Sequence, residues 1–107
     1  MLYELREYYV LPGRMPNMLA RFRDHTTKIF DRLGITNIGY WTEEIGSQNR
    51  LTYIIAFRDM ADREQKWAAF REDPEWIKVR DASELDGQIV EDVENRLLNP
   101  TDFSPLT

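Results

Sequence analysis

The sequence predicts an α+β domain: a four-stranded antiparallel sheet with helices on one face only. Three observations carry this. Two β-rich runs follow one another across a short loop, each is separated from an outer β-rich run by a helical segment, and the resulting order is β-α-β-β-α-β within 107 residues. That length holds one hydrophobic core, so residues 1–107 are read as a single domain whose last part, 100–107, is an extended tail.

The first strand runs from Leu2 to Val10, where Tyr, Leu and Val mix with charges at near-alternate positions, and it stops at Leu11-Pro12-Gly13. From Met15 to Leu33 the apolar residues Met15, Met18, Leu19, Phe22, Ile29, Phe30 and Leu33 recur at steps of three and four, and Gly34 follows as the residue that ends the helix. Ile35 to Glu43 and Arg50 to Phe57 are the two central β-runs, and the loop Glu44 to Asn49 is rich in turn formers. Asp59, with Asp62 three residues on, is placed to cap a second helix reaching Glu72. Asp73-Pro74 restarts the helical signal, because proline is tolerated in a first turn and not in an interior, and Asp86-Gly87 closes this shorter helix. Ile89 to Leu98 alternates again as the fourth strand, and the tail places Phe103 as an apolar anchor between Pro100 and Pro105. The βαββαβ order is the split-βαβ, ferredoxin-like arrangement, with expected strand order 4-1-3-2.

Composition narrows function. Nineteen acidic residues against fourteen basic ones give a net charge of −5, with the cations dispersed singly, so the electrostatic footprint of nucleic-acid binding is missing. There is no cysteine, which removes disulfides, thiolate catalysis and cysteine zinc sites together, and makes a cytoplasmic home the default expectation. Charge begins at Glu4, so no signal-peptide core is present, and no window approaches the ~18 apolar residues of a membrane span. No His pair at i and i+4 and no calcium-type loop occurs, so no metal is expected. No glycine-rich phosphate loop follows a strand, so no nucleotide cofactor is expected either.

A single parity serves all four strands. Odd positions (Tyr3, Leu5, Tyr9, Ile35, Trp41, Leu51, Tyr53, Ile55, Phe57, Ile89, Val93, Leu97) form the helix-covered face. Even positions mix Glu4, Arg6, Tyr8, Tyr40, Asp92, Glu94 and Arg96 with apolar Val10, Ile38, Ile54, Ala56, Val90 and Leu98. Two readings of that even face stand side by side: cross-strand ion pairs on a solvated surface, or a partly apolar surface that a second copy covers, making a homodimer with a lined interior.

Tyr3-Glu4-Leu5-Arg6-Glu7-Tyr8, Gly39-Tyr40-Trp41-Thr42, Asp73-Pro74-Glu75-Trp76, and Asn95-Arg96-Leu97-Leu98 running into Pro100-Thr101-Asp102-Phe103-Ser104-Pro105 together resemble the NIPSNAP family, in the same order and over the whole chain. The resemblance implies a dimeric α/β barrel of bacterial type. That superfamily holds cofactor-free monooxygenases, isomerases, cyclases and haem-degrading enzymes beside members of no known activity, so fold alone does not settle function.

On this reading Arg6, Tyr8, Tyr40 and Arg96 face the barrel and offer aromatic walls with two cationic donors, suited to a small planar acid or phenolic ligand, so that the domain binds or transforms a small hydrophobic or aromatic metabolite without a bound cofactor. Arg6 is expected to pair there with Glu94 or Asp92. His25, the single histidine, falls on the rim of the first helix's apolar stripe. It is the one general-base or haem-ligand candidate, and the competing reading is a solvated or capping helix histidine. Trp41, Trp67 and Trp76 are assigned to core or interface packing. The second function class is a homo-oligomeric interaction module whose interior is closed by side chains.

Overall fold

The computed structural model describes residues 1–107. Its elements in chain order are β1 (Leu2–Val10), α1 (Met15–Arg21), a π-helical turn (Phe22–Thr26), α2 (Thr27–Leu33), β2 (Thr36–Thr42), β3 (Arg50–Phe57), α3 (Met60–Glu72), α4 (Pro74–Ser83) and β4 (Val90–Leu98). The strands form one antiparallel sheet in the order β2-β3-β1-β4, the expected 4-1-3-2 read from the other edge. The four-stranded ferredoxin-like architecture is therefore as the sequence implies.

Local chemistry sets the boundaries. Pro16 sits in the first turn of α1, where its missing N–H removes no helical bond. Gly34 ends α2 at φ 81°, a left-handed conformation that a side chain disfavours. The Asp59 carboxylate accepts from the Asp62 N–H and the Asp73 carboxylate from the Trp76 N–H, so each of the last two helices carries a side-chain cap.

The π-turn was not legible in the sequence. It inserts an extra residue between Phe22 and Ile29, and the Thr26 and Thr27 hydroxyls bond back to the carbonyls of Arg21 and Phe22, five residues earlier. The insertion keeps Phe22, Thr26, Ile29 and Phe30 all buried.

The core lies between the sheet and the helices, with Leu51, Tyr53, Ile55 and Phe57 of β3 against Met18, Phe22, Ile29, Phe30, Trp67 and Phe70. β3 thus follows the expected odd parity. β1 does not: Arg6 lies opposite Tyr53, and Tyr8 opposite Leu51, so the even residues of β1 share the helix-covered face with the odd residues of β3. In β2 an irregularity between Asn37 and Gly39 reverses the parity midway, turning Tyr40 toward the helices and Gly39 and Trp41 away from them.

The bare face of the sheet consequently carries Leu5, Glu7, Tyr9, Trp41, Ile54, Glu94, Arg96 and Leu98. The tail folds back over one end of it, where the Tyr3 hydroxyl donates to the Thr107 carbonyl and a hollow is lined by Tyr3, Ile54, Leu98 and Leu106. Phe103 is not the anchor expected of it, standing 84% exposed. No helix is long and apolar enough to cross a membrane.

Candidate functional site

Burying a carboxylate requires partners for its charge and its lone pairs. Glu4, in β1, has no solvent exposure and receives five hydrogen bonds. Its Oε1 accepts from Arg63 Nε at 2.9 Å and from Trp67 Nε1 at 2.9 Å. Its Oε2 accepts from Arg6 Nη1 at 3.0 Å, Arg63 Nη2 at 3.2 Å and Asn95 Nδ2 at 3.0 Å. One carboxylate therefore ties together β1, β4 and α3. Burial alone would raise its pKa, but the bonds from Arg63, Trp67 and Asn95 and the charge of Arg6 outweigh it and bring the value from the usual 4.5 to about 2.

Arg6 lies two residues along the same face. Its Nη1 bonds Glu4, its Nε donates to the Tyr53 hydroxyl at 2.8 Å, and its guanidinium carbon sits 4.7 Å from the centroid of the Trp67 ring. The Tyr8 and Tyr53 hydroxyls are 3.1 Å apart, and Tyr40 stacks on Tyr53 with centroids 5.0 Å apart. Burial pushes the Tyr40 and Tyr53 hydroxyls above the ordinary phenol range, so both stay protonated at neutral pH.

Beside this network an open cleft of about 280 Å³ enters between β1 and α3, lined by Arg6, Tyr8, Arg63, Trp67, Phe70 and Arg71 among others. Three guanidiniums and three aromatic rings line it with one carboxylate, that of Glu64, which accepts from Arg63 Nη1 at 3.0 Å, while Glu4 is already saturated. Arg6 and Arg63 are committed to their neighbours, Arg71 makes no ion pair at the rim of the aromatic wall, and Glu4 is in no state to take a proton from a ligand.

The sequence-derived candidates separate. Arg6, Tyr8 and Tyr40 lie on the helix-covered side, contrary to the expected even face, because of the β1 register and the β2 irregularity. Arg6 is paired with a carboxylate as expected, but with Glu4 and not with Glu94 or Asp92, which stand on the opposite face of the sheet. Arg96 alone occupies the bare face, where its Nη2 donates to Glu7 at 3.2 Å. His25 is exposed in the π-turn, along a groove between the first helix and α4, and lines no part of the cleft.

The residues missed were Glu4 as an organising anion, Arg63 and Asn95 as its donors, and Arg71 at the rim. One signal for them exists: Arg63 and Trp67, spaced i and i+4, put a cation and an indole N–H on one stripe of α3, a stripe that calls for an acceptor beneath it.

The NIPSNAP family profile matches residues 3–105. The chain belongs to the NIPSNAP family. Protein NipSnap homolog 3A of Pongo abelii is 31% identical over 77 residues, which is 69% of this chain and 30% of that protein, so the chain spans under a third of its length. A NIPSNAP family protein of Agrobacterium tumefaciens superposes with a TM-score of 0.88 at 28% identity, covering 99% of this chain and 98% of that one. An antibiotic biosynthesis monooxygenase shares the fold at a TM-score of 0.64 and 12% identity, covering 94% of this chain and 99% of that one. The NIPSNAP assignment from four short motifs thus holds across the domain, and at 12% identity the monooxygenase likeness extends to the fold alone.

Proposed function

We propose that this NIPSNAP domain binds a small planar aromatic or hydrophobic acid in the cleft between β1 and α3, without a bound cofactor, and that it pairs with a second copy through the bare face of its sheet. The observation that carries the reading is the arrangement of Arg6, Arg63 and Arg71 around Tyr8, Trp67 and Phe70. A carboxylate at the cationic rim gains charge-assisted bonds, and its apolar body lies against rings that are already fixed by the core.

Binding is favoured over transformation within this cleft, because Glu4 is saturated by donors and held near a pKa of about 2, while Tyr53 and Tyr40 hold their protons. Pairing is supported by the apolar surface left bare: Trp41 is 50% and Leu98 39% exposed on the sheet face that no helix covers. Calorimetric titration with benzoate as the probe tests the reading. Saturable binding that Arg71→Ala weakens at least about fivefold supports it, since a bond to a charged group contributes about 1.5 to 3 kcal/mol when buried and less at a rim. Benzoate binding indifferent to Arg71→Ala refutes it.

A further inference from the structure

Arg21, at the end of α1, is the most deeply buried cation of the chain, and part of its guanidinium has no partner. Its side chain is 6% exposed. Only Nη1 makes bonds, to the Ser83 hydroxyl at 3.2 Å and to Glu84 at 3.5 Å, and Glu84 is itself 38% exposed. Nε is shielded from solvent and has no partner. Nη2 makes no bond either, and unlike Nε it is not wholly covered by protein atoms, so it is the one donor of this guanidinium left for a ligand. Arg6 differs in this respect, with bonds to Glu4, Tyr53 and Tyr8.

A buried charge is expensive unless it is paired, and this one is held by the Trp76 ring at 5.2 Å from the guanidinium carbon and by one long ion pair. Burial lowers the pKa of Arg21, the direction expected of a cation that lacks its full complement of partners. Arg21 forms part of the wall of a groove of about 440 Å³ between the first helix and α4, separate in its lining from the cleft at Arg6. Lys78, which makes no ion pair, and the Ser83 hydroxyl stand along the same groove, opposed by one acid, Asp24. The rest of the wall sets the aliphatic side chains of Ala20, Val79 and Ala82 beside the polar Asn17 and His25.

We infer that this groove is a second ligand site, taking the carboxylate of a small aliphatic acid, with Arg21 and Lys78 on the oxygens and Val79 against the chain. The two cationic side chains set the preference for a carboxylate, and Ala20, Val79 and Ala82 set the preference for a saturated body over the aromatic one that suits the Arg6 cleft.

The test is calorimetric titration of the intact protein with butyrate and, separately, with inorganic phosphate. Butyrate is expected to bind saturably in about the millimolar range, and Arg21→Met to weaken it at least about tenfold, because charge-assisted bonds are the strongest contacts a ligand of this size can make. Methionine keeps the volume and removes the underpaired charge, so Arg21→Met is expected to retain the wild-type thermal midpoint or exceed it. Lys78→Ala, a change at an exposed position, is expected to weaken butyrate about threefold, and Arg58→Ala, which removes a distant surface charge, to leave it unaltered. Absence of saturable butyrate binding, phosphate binding as tight as butyrate, or equal affinity in wild type and Lys78→Ala would overturn the inference.

Discussion

The indole N–H of Trp67 donates to the carboxylate of Glu4 across 63 positions of sequence, at 2.9 Å, in a part of the molecule that water does not reach. This bond, with the two from Arg63, locks α3 to the first strand and fixes one wall of the cleft. It makes Glu4 a structural anion that engages Arg6 and Arg63, and leaves Arg71 as the cation of the cleft that makes no ion pair.

Glu4→Gln is expected to lower the free energy of unfolding by about 3 to 5 kcal/mol, because it leaves the guanidiniums of Arg6 and Arg63 without their buried counter-charge. Urea unfolding at fixed protein concentration measures it, the concentration being held because pairing contributes to stability. A loss below about 1 kcal/mol would mean that the network behaves as a solvated surface pair.

Acid should reveal the same group. Glu4 titrates lower in the folded chain than in the unfolded one, so its contribution is complete above about pH 4.5 and is lost as pH falls toward about 2. A shift of this size corresponds to about 3 kcal/mol. Stability measured from pH 6 to pH 2 should therefore fall more steeply in the wild type than in Glu4→Gln. Parallel curves for the two proteins would contradict the assignment.

Strand order, the cap at Asp59, the helix restart at Asp73-Pro74, the stop at Gly34 and the family were legible in the sequence because each rests on local signals or on motif order. The facing of β1 was not. Its two parities are nearly equal in polarity, Tyr3-Leu5-Glu7-Tyr9 against Glu4-Arg6-Tyr8-Val10, and what decides between them is a set of donors on α3 and β4 far away in sequence. The reversal within β2 has the same character: an inserted residue at Ile38 changes which side Tyr40 and Trp41 face, and periodicity alone carries no record of it. The aromatic and cationic residue types of the site were therefore readable, and the side of the sheet on which they meet was not.

Gly39→Ala should move Trp41. A Cβ at position 39 would lie 2.6 Å from the Trp41 ring, closer than atoms approach, so the indole must swing off the strand. A shift in tryptophan emission is expected, together with weaker self-association by light scattering if the bare face is the pairing surface. Unaltered emission would show that the ring does not lie over Gly39.

Trp67→Phe keeps an aromatic ring but removes the donor to Glu4. A loss of about 1.5 to 3 kcal/mol in unfolding free energy is expected, the range for a hydrogen bond to a buried charged group. If the variant is as stable as wild type, Glu4 is satisfied without the indole.

The most direct measurement is a crystal structure of the protein with benzoate bound. The ring is expected between Tyr8 and Trp67, with its carboxylate turned to the guanidinium of Arg71. A saturated crystal in which this cleft stays empty while benzoate occupies the bare face of the sheet would contradict the account.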